Sequence, residues 1–168
     1  MVLSKSIAEI LDDEEVLGKQ RCSDLELAQA VAKILGGEEV LGRPICSDLE
    51  LAQAVRQGFS PAVTDELFNG SILSKSDMEH LIMPRRTLTH RKNKGERLTR
   101  EESGRVARVA RIVALSIETF GNLVKASRWL HKPKRGLRGQ TPIEFLDTEE
   151  GARIVEDWLF RIAHGLIS

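Results

Sequence analysis

Apolar residues recur three and four positions apart along most of the chain, the spacing of one face of an α-helix. No stretch alternates with the β-branched enrichment of a strand. Each apolar run carries its own start signal. Ser23-Asp24-Leu25-Glu26 and Ser47-Asp48-Leu49-Glu50 read as capping boxes, in which the serine hydroxyl and the glutamate carboxylate each satisfy an orphan backbone amide. Ser60-Pro61 opens a helix that ends at Asn69-Gly70. Ser74 or Ser76 opens a short helix through Met78, Leu81 and Ile82. Pro84 restarts the chain into a helix over Arg85–Lys92, and Asn93-Lys94-Gly95 breaks it. Thr99 and Glu102 box the start of a long helix with Val106, Val109, Ala110, Val113, Ile117 and Phe120 on one stripe. Gly121 ends it, Asn122 caps the next helix through Trp129-Leu130, and a basic loop over Lys132–Gln140 follows. Thr141 and Glu144 form another box around Pro142. Asp147-Thr148 cap a last helix with Ala152, Val155, Leu159 and Ile162 on one face and Gly165 at its end. The pattern predicts an all-α fold of about seven or eight helices.

The pattern also repeats. Residues 10–33 return as residues 34–57, with 17 of 24 positions identical. Two copies are too few for a solenoid, so the repeat reads as a tandem duplication. Only the second copy runs on into Gly58 and Phe59, which makes it the expected partner of the core. Residues 1–33 are then expected to form a loosely packed appendage or an extra oligomer contact. A bundle of short helices is expected over 34–98 and a helical domain over 99–168. The KNKGER stretch that joins them is too short for an independent linker.

Composition changes this picture in one respect. A chain of 168 residues that is 41% hydrophobic and 30% charged can bury a core, and its formal net charge is zero. The zero hides a partition. Residues 1–83 carry 7 Lys/Arg and 15 Asp/Glu, residues 84–140 carry 16 and 4, and residues 141–168 carry 2 and 6. A central block of net +12 points to a polyanionic partner. Five Phe, two Trp and no Tyr speak against a base-stacking sheet. Cys22 and Cys46 occupy equivalent places in the repeat with no His or Cys nearby, so neither a zinc site nor a disulfide framework is expected, and a reduced compartment fits. The N-terminus turns acidic at once, unlike a signal peptide, and the longest apolar stretches, such as Ile112–Ile117, are far too short to span a bilayer. The expectation is a cytoplasmic protein with no membrane partner.

The basic block holds a motif. In Ser74–Lys92 a short helix meets a tight turn and then a helix that presents Arg85, Arg86, Thr87, Thr89, His90 and Arg91, with Leu88 as its one apolar plug after the proline. This is the pattern of a helix-turn-helix, whose second helix enters the major groove by its N-terminal residues. Arg pairs with guanine O6 and N7, and Thr and His reach bases or phosphates. Lys92 and Lys94, with Arg97 and Arg100, would follow the DNA backbone. The competing reading is a solvated basic helix, and the glycine often found in the turn is replaced by Ile82. Arg105, Arg108 and Arg111 on the long helix read as solubilising charges or as salt-bridge partners of the acidic N-terminal part.

Chemistry of catalysis is not legible. His80, His90, His131 and His164 show no metal-ligand spacing, no G-x-S-x-G or P-loop occurs, and the cysteines lack a nearby base. The carboxylate clusters Asp12–Glu15 and Asp147–Glu150 sit where helices start and complement their dipoles. No catalytic residue, metal ligand or cofactor is assigned.

The segments RRTLTHRK, LTREESGRVARVARI, FGNLVKASRWLHKP and GQTPIEFLDTEEGARIVEDWLFRIAHG resemble the Xre/MbcA/ParS antitoxin family. The resemblance covers residues 45–168 and is most specific from Thr141-Pro142 to Gly165. It implies a type II toxin–antitoxin antitoxin with an Xre-like helix-turn-helix N-terminal domain and a small helical toxin-binding domain. It also implies a RES-domain toxin that consumes NAD⁺, neutralised by direct contact as the antitoxin's C-terminal end closes the toxin's active-site entrance. Repression of its own operon through operator DNA, a homodimer and a hetero-oligomeric toxin–antitoxin complex follow from the same resemblance. Carried over to this chain, the toxin contacts are Trp158, Leu159, Phe160, Arg161, Ile162, His164, Gly165 and Leu166.

The residues themselves give a partly separate reading. Leu159 and Ile162 belong to the core stripe of the last helix, whereas Phe160 and His164 share another face with Arg161 beside them. An aromatic, an arginine and an apolar tail make a candidate interface of Trp158, Phe160, Arg161, His164, Gly165 and Leu166. Two rival readings stand beside it. One is a stand-alone helix-turn-helix transcriptional regulator with a C-terminal dimerisation domain. The other is a protein-binding module that has lost DNA contact.

Overall fold

A computed structural model describes residues 24–70 and 72–166. Its elements are α1 (Asp24–Ile34), α2 (Gly37–Leu41), α3 (Asp48–Gln57), α4 (Val63–Asn69), α5 (Lys75–Leu81), α6 (Arg85–Lys94), α7 (Arg100–Phe120), α8 (Leu123–Leu130) and α9 (Glu149–Ala163). Short 3₁₀ helices at Arg135–Leu137 and Pro142–Asp147 lie between α8 and α9. Among the described residues there is no strand, so the all-α expectation holds, and no helix is long and apolar enough to cross a membrane.

α7 is the hub. α1, α3, α8 and α9 all pack on it. The sequence marks it as an amphipathic helix with one stripe, but its buried positions go further round, adding Ser103, Ile112, Ala114 and Ser116 to Val106, Val109, Ala110, Val113 and Ile117. The added positions are mostly small, which lets neighbouring helices approach closely. Their hydroxyls are satisfied in place: Ser116 donates to the Ile112 carbonyl at 2.7 Å, and Ser103 accepts from the Phe59 amide at 2.9 Å. Gly58, just before that amide, has φ +82 and lies so close to the Leu98 backbone that a Cβ would overlap the carbonyl oxygen.

The caps form largely as the residues dictate. Ser74 with Asp77, Thr99 with Glu102, and Thr141 with Glu144 are reciprocal boxes, and Asn122 and Thr148 cap α8 and α9. At Ser47 the serine accepts from the Glu50 amide, but the Glu50 carboxylate reaches back to the Cys46 amide instead. Ser60-Pro61 starts a turn, and α4 begins two residues later. Helix α2 has no counterpart in the reading of the sequence.

The expectation for the repeat needs correction. Residues 1–33 do not form a loose appendage over their described part: α1 buries Ala28 and Val31 completely and Ala32 nearly so. Burying a Val, Leu or Ile stabilises by about 1.5–3 kcal/mol each, so this helix is an integral wall of the core. The second copy is a core partner as expected, burying Ile34, Leu35, Leu41 and Ile45, although its helix α3 buries only Ala54. Residues 1–23, with Cys22, Ser23 and the carboxylates Asp12–Glu15, lie outside the described residues.

The α5–α6 pair is joined by Ile82-Met83-Pro84. Ile82 and Met83 are buried, so the place of the usual turn glycine is filled by core side chains. Pro84 is exposed and restarts the helix. α6 has no fully buried residue; Leu88 packs against the core half-buried. Helix α6 is therefore a ledge, held to the body by few apolar contacts and by ion pairs.

Candidate functional site

Arg85, Arg86, Thr89, His90 and Asn93 line one open hollow of about 480 Å³ along α6. All five are exposed. They follow the helical period, so one face of a helix presents two guanidinium groups, an imidazole and an amide. The Thr89 hydroxyl donates back to the Arg85 carbonyl at 3.0 Å. Arg85, Arg86 and Lys94 enter no ion pair among the described residues. Such a face suits base edges for Arg and Asn, and phosphate oxygens for Lys. Asn93 was legible only as a helix breaker; its spacing from Thr89 and Arg86 is the signal that places it on this face.

The other residues expected at DNA divide differently. Arg91 points the opposite way. It bonds Glu102 at 2.9 Å and Glu96 at 3.5 Å, donates to the Arg97 carbonyl, and keeps 19% of its side-chain exposure. It fastens α6 to the start of α7 and is not offered to a ligand. Lys92 pairs with Asp65 at 2.6 Å, tying α6 to α4, and Thr87 is half-buried. From α7, Arg105 donates to the Ile82 carbonyl at 3.2 Å and pairs with Glu101, so it braces the turn between α5 and α6.

Arg108 and Arg111 reach the C-terminal part, not the acidic N-terminal part. Both pair with Glu149 in the first turn of α9, at 2.9 and 3.2 Å, and Arg108 also donates to the Leu146 and Asp147 carbonyls. Burial pushes the Glu149 carboxyl up, but the hydrogen bonds and charges of the two arginines outweigh it and hold the group below its ordinary value.

α9 buries Ala152, Val155 and Leu159, so Leu159 is a core residue and no contact for a partner. Trp158 is half-buried, and a Cβ on Gly136 would overlap its indole, so it walls the basic loop against α9 and is not a protruding anchor. Phe160 is half-buried with its ring 4.1 Å from the exposed His164 ring, and His164 Nδ1 donates to the Phe160 carbonyl at 2.8 Å. Arg161 pairs with Asp157 on its own helix while both stay about half exposed. Gly165 at φ +66 stops the helix, with its amide on the Ile162 carbonyl and the Leu166 amide on that of Arg161. Leu166 stands 65% exposed beyond it.

The fold and these two surfaces define a two-module helical protein: a helix-turn-helix reader braced by a long helix, and a helical module ending in an open apolar turn. Residues 50–111 match the family described as "Antitoxin Xre-like helix-turn-helix domain", and residues 116–165 match "Antitoxin Xre/MbcA/ParS C-terminal toxin-binding domain". The two matches divide within α7, whose first half belongs to the reader. Among similar curated proteins, an "Antitoxin Xre" of Pseudomonas putida is 38% identical over 64% of this chain and 67% of its own length. Others named "Antitoxin Xre" from Yersinia enterocolitica and Photorhabdus laumondii are 35% and 33% identical, each over 67% of this chain and over 78% and 77% of their own lengths. The chain belongs to the Xre/MbcA/ParS antitoxin family. It is an antitoxin with a helix-turn-helix DNA-binding domain and a toxin-binding domain.

Proposed function

We propose that this antitoxin neutralises a RES-type, NAD⁺-consuming toxin through its C-terminal end. In the same proposal it represses its own operon through α6, as a homodimer within a hetero-oligomeric complex in the cytoplasm. The observation that carries the reading is the last turn of α9. The core stripe ends at Leu159, and Arg161, His164, Gly165 and Leu166 are all exposed past it. An apolar residue projected past a helix stop, flanked by an arginine and a histidine, suits insertion into a partner's cleft. The RES class of the toxin rests on the resemblance of Thr141–Gly165 to the family pattern. On the DNA side, Arg85, Arg86, Thr89, His90 and Lys94 form the contact set, with Thr87 at its edge.

Co-expression with the toxin encoded in the same operon tests the reading. The full chain restores growth, and a chain lacking Gly165–Ser168 keeps its helical circular dichroism but no longer does. Full rescue by the shortened chain would remove the C-terminal end from the mechanism. A gel shift with the upstream promoter fragment tests repression separately.

A further inference from the structure

A second feature of the toxin-binding domain lies beside its tail. Gly136, Leu137, Arg138, Gln140, Phe145 and Ile154 enclose a groove of about 380 Å³ between the basic loop and α9. We propose that this groove seats a segment of the toxin in which an aliphatic or aromatic side chain is flanked by carboxylates. The proposal rests on the reading of this domain as toxin-binding and names the chemistry of its partner.

The groove is built. The loop closes on itself through Lys134 N to Gln140 O at 3.0 Å, Gly139 N to Lys134 O at 2.9 Å and Gln140 N to Leu137 O at 3.1 Å. Lys134 lies 5.0 Å over the Trp129 ring; burial and the nearby charge of Lys132 hold its ammonium below the ordinary lysine value. The indole of Trp158 closes against Gly136, where only glycine fits. Ile154 leaves 44% of its surface at the mouth, on an α9 face otherwise occupied by Arg153, Asp157 and Arg161.

Arg138 marks the rim. At φ +56 it is the one non-glycine residue with positive φ among those described. A left-handed backbone strains an L-residue, and glycine would relieve that strain. The sequence keeps an arginine there instead.

Charge points to the partner's chemistry. Residues 119–143 hold Lys125, Arg128, Lys132, Lys134, Arg135 and Arg138 with no Asp or Glu. None of the six is in an ion pair among the described residues, whereas Arg91, Arg105, Arg108 and Arg111 all are. An apolar hollow with Arg138 at its rim, in a segment whose cations are free of carboxylates, favours a protein over nucleic acid, since phosphate contacts make no use of Ile154 and Phe145. Ile154, Trp158 and Arg161 follow one another at helical spacing, so the groove continues the face that ends at the exposed tail.

Purified antitoxin and the toxin of the same operon decide the matter by calorimetry. Arg138→Gly keeps the left-handed backbone and removes the guanidinium; Ile154→Ser removes the apolar mouth. Each is expected to weaken toxin binding about tenfold, with unchanged melting temperature for Arg138→Gly or a higher one. Promoter DNA affinity and the mass of the free antitoxin stay the same. Toxin affinity within about twofold of the parent for both variants overturns the groove while leaving a tail-dependent interaction standing. Loss of DNA affinity instead assigns the rim to phosphates, and a change of mass assigns it to a second copy of this chain; either overturns the proposal. No toxin binding by the parent chain defeats the underlying reading itself.

Discussion

His131, at the end of α8, holds its Nε2 3.0 Å from Asp77 Oδ2, a residue 54 positions earlier in the first turn of α5. Its Nδ1 donates to the Ser127 carbonyl at 2.8 Å, so the ring can donate to Asp77 only when protonated, and the contact is then an ion pair. Asp77 also closes the capping box with Ser74. One carboxylate thus starts the first helix of the helix-turn-helix and ties it to the toxin-binding domain.

Asp77→Ala is expected to destabilise the fold by about 1–2 kcal/mol, because it removes a cap and strands His131. Glu144→Ala, which breaks a box whose carboxylate hydrogen-bonds only Thr141 and no histidine, is expected to cost less. Urea midpoints measure both, and equal losses would reduce Asp77 to a cap alone. Burial pushes the Asp77 carboxyl up, but hydrogen bonds from Ser74 and His131 outweigh it and hold it below 3.8. A depressed native value means the contribution is complete above 3.8 and is lost as pH falls through the lower native value. The gap between parent and Asp77→Asn should therefore close as the pH falls below about 4.

Glu149 carries the second tie between the modules. Glu149→Gln leaves Arg108 and Arg111 without their carboxylate, and Arg111 Nε has no hydrogen-bond partner even in the parent. The expected loss is about 1 kcal/mol, held low because Glu149 remains partly exposed to screening solvent. A melting temperature equal to or above that of the parent would show that the clamp contributes nothing.

Arginines less than about two turns apart should behave in opposite ways on α6. Arg85→Ala with Arg86→Ala is expected to weaken promoter binding and flatten its salt dependence, while the melting temperature holds. Arg91→Ala is expected to lower the melting temperature, since Glu102 would lose its partner near the helix junction. Fluorescence anisotropy across a salt series reads the first effect. If Arg91→Ala flattened the salt slope as steeply as the double variant, the orientation of Arg91 would have to be revised.

What was legible in the sequence is what short-range chemistry decides. The boxes at Thr99 and Thr141 need only residues three apart, and they form as written; Ser74, read as one of two possible helix starts, proves to close a box with Asp77. The reader's exposed face follows from helical period alone, which also accounts for Asn93. The orientation of Arg91 was not legible, because its partners Glu96 and Glu102 lie beyond a helix break. The groove was hidden for a related reason. Its lining comes from the loop 136–140, from Phe145 and from Ile154, three segments in which no single residue stands out. Trp158 reads as an interface anchor from the sequence, whereas its indole is closed against Gly136, a residue 22 positions earlier in another segment.

The repeat offers the sharpest separation of local from tertiary effects. Asp24–Val31 and Asp48–Val55 are the same octapeptide, DLELAQAV, and both are helical. Yet Ala28 is fully buried against the body while its equivalent, Ala52, is exposed. Leu and Ala have nearly equal helix propensity, so an Ala→Leu change at either site alters packing and little else. Ala28→Leu must force extra methylenes into a filled space, at an expected cost of about 1–3 kcal/mol. Ala52→Leu adds side chain to solvent, and its expected effect is within about 0.5 kcal/mol. Urea denaturation of the two variants compares them directly. Equal midpoints, or a larger loss at Ala52, would mean that the first copy does not wall the core and that α1 is the dispensable member of the pair.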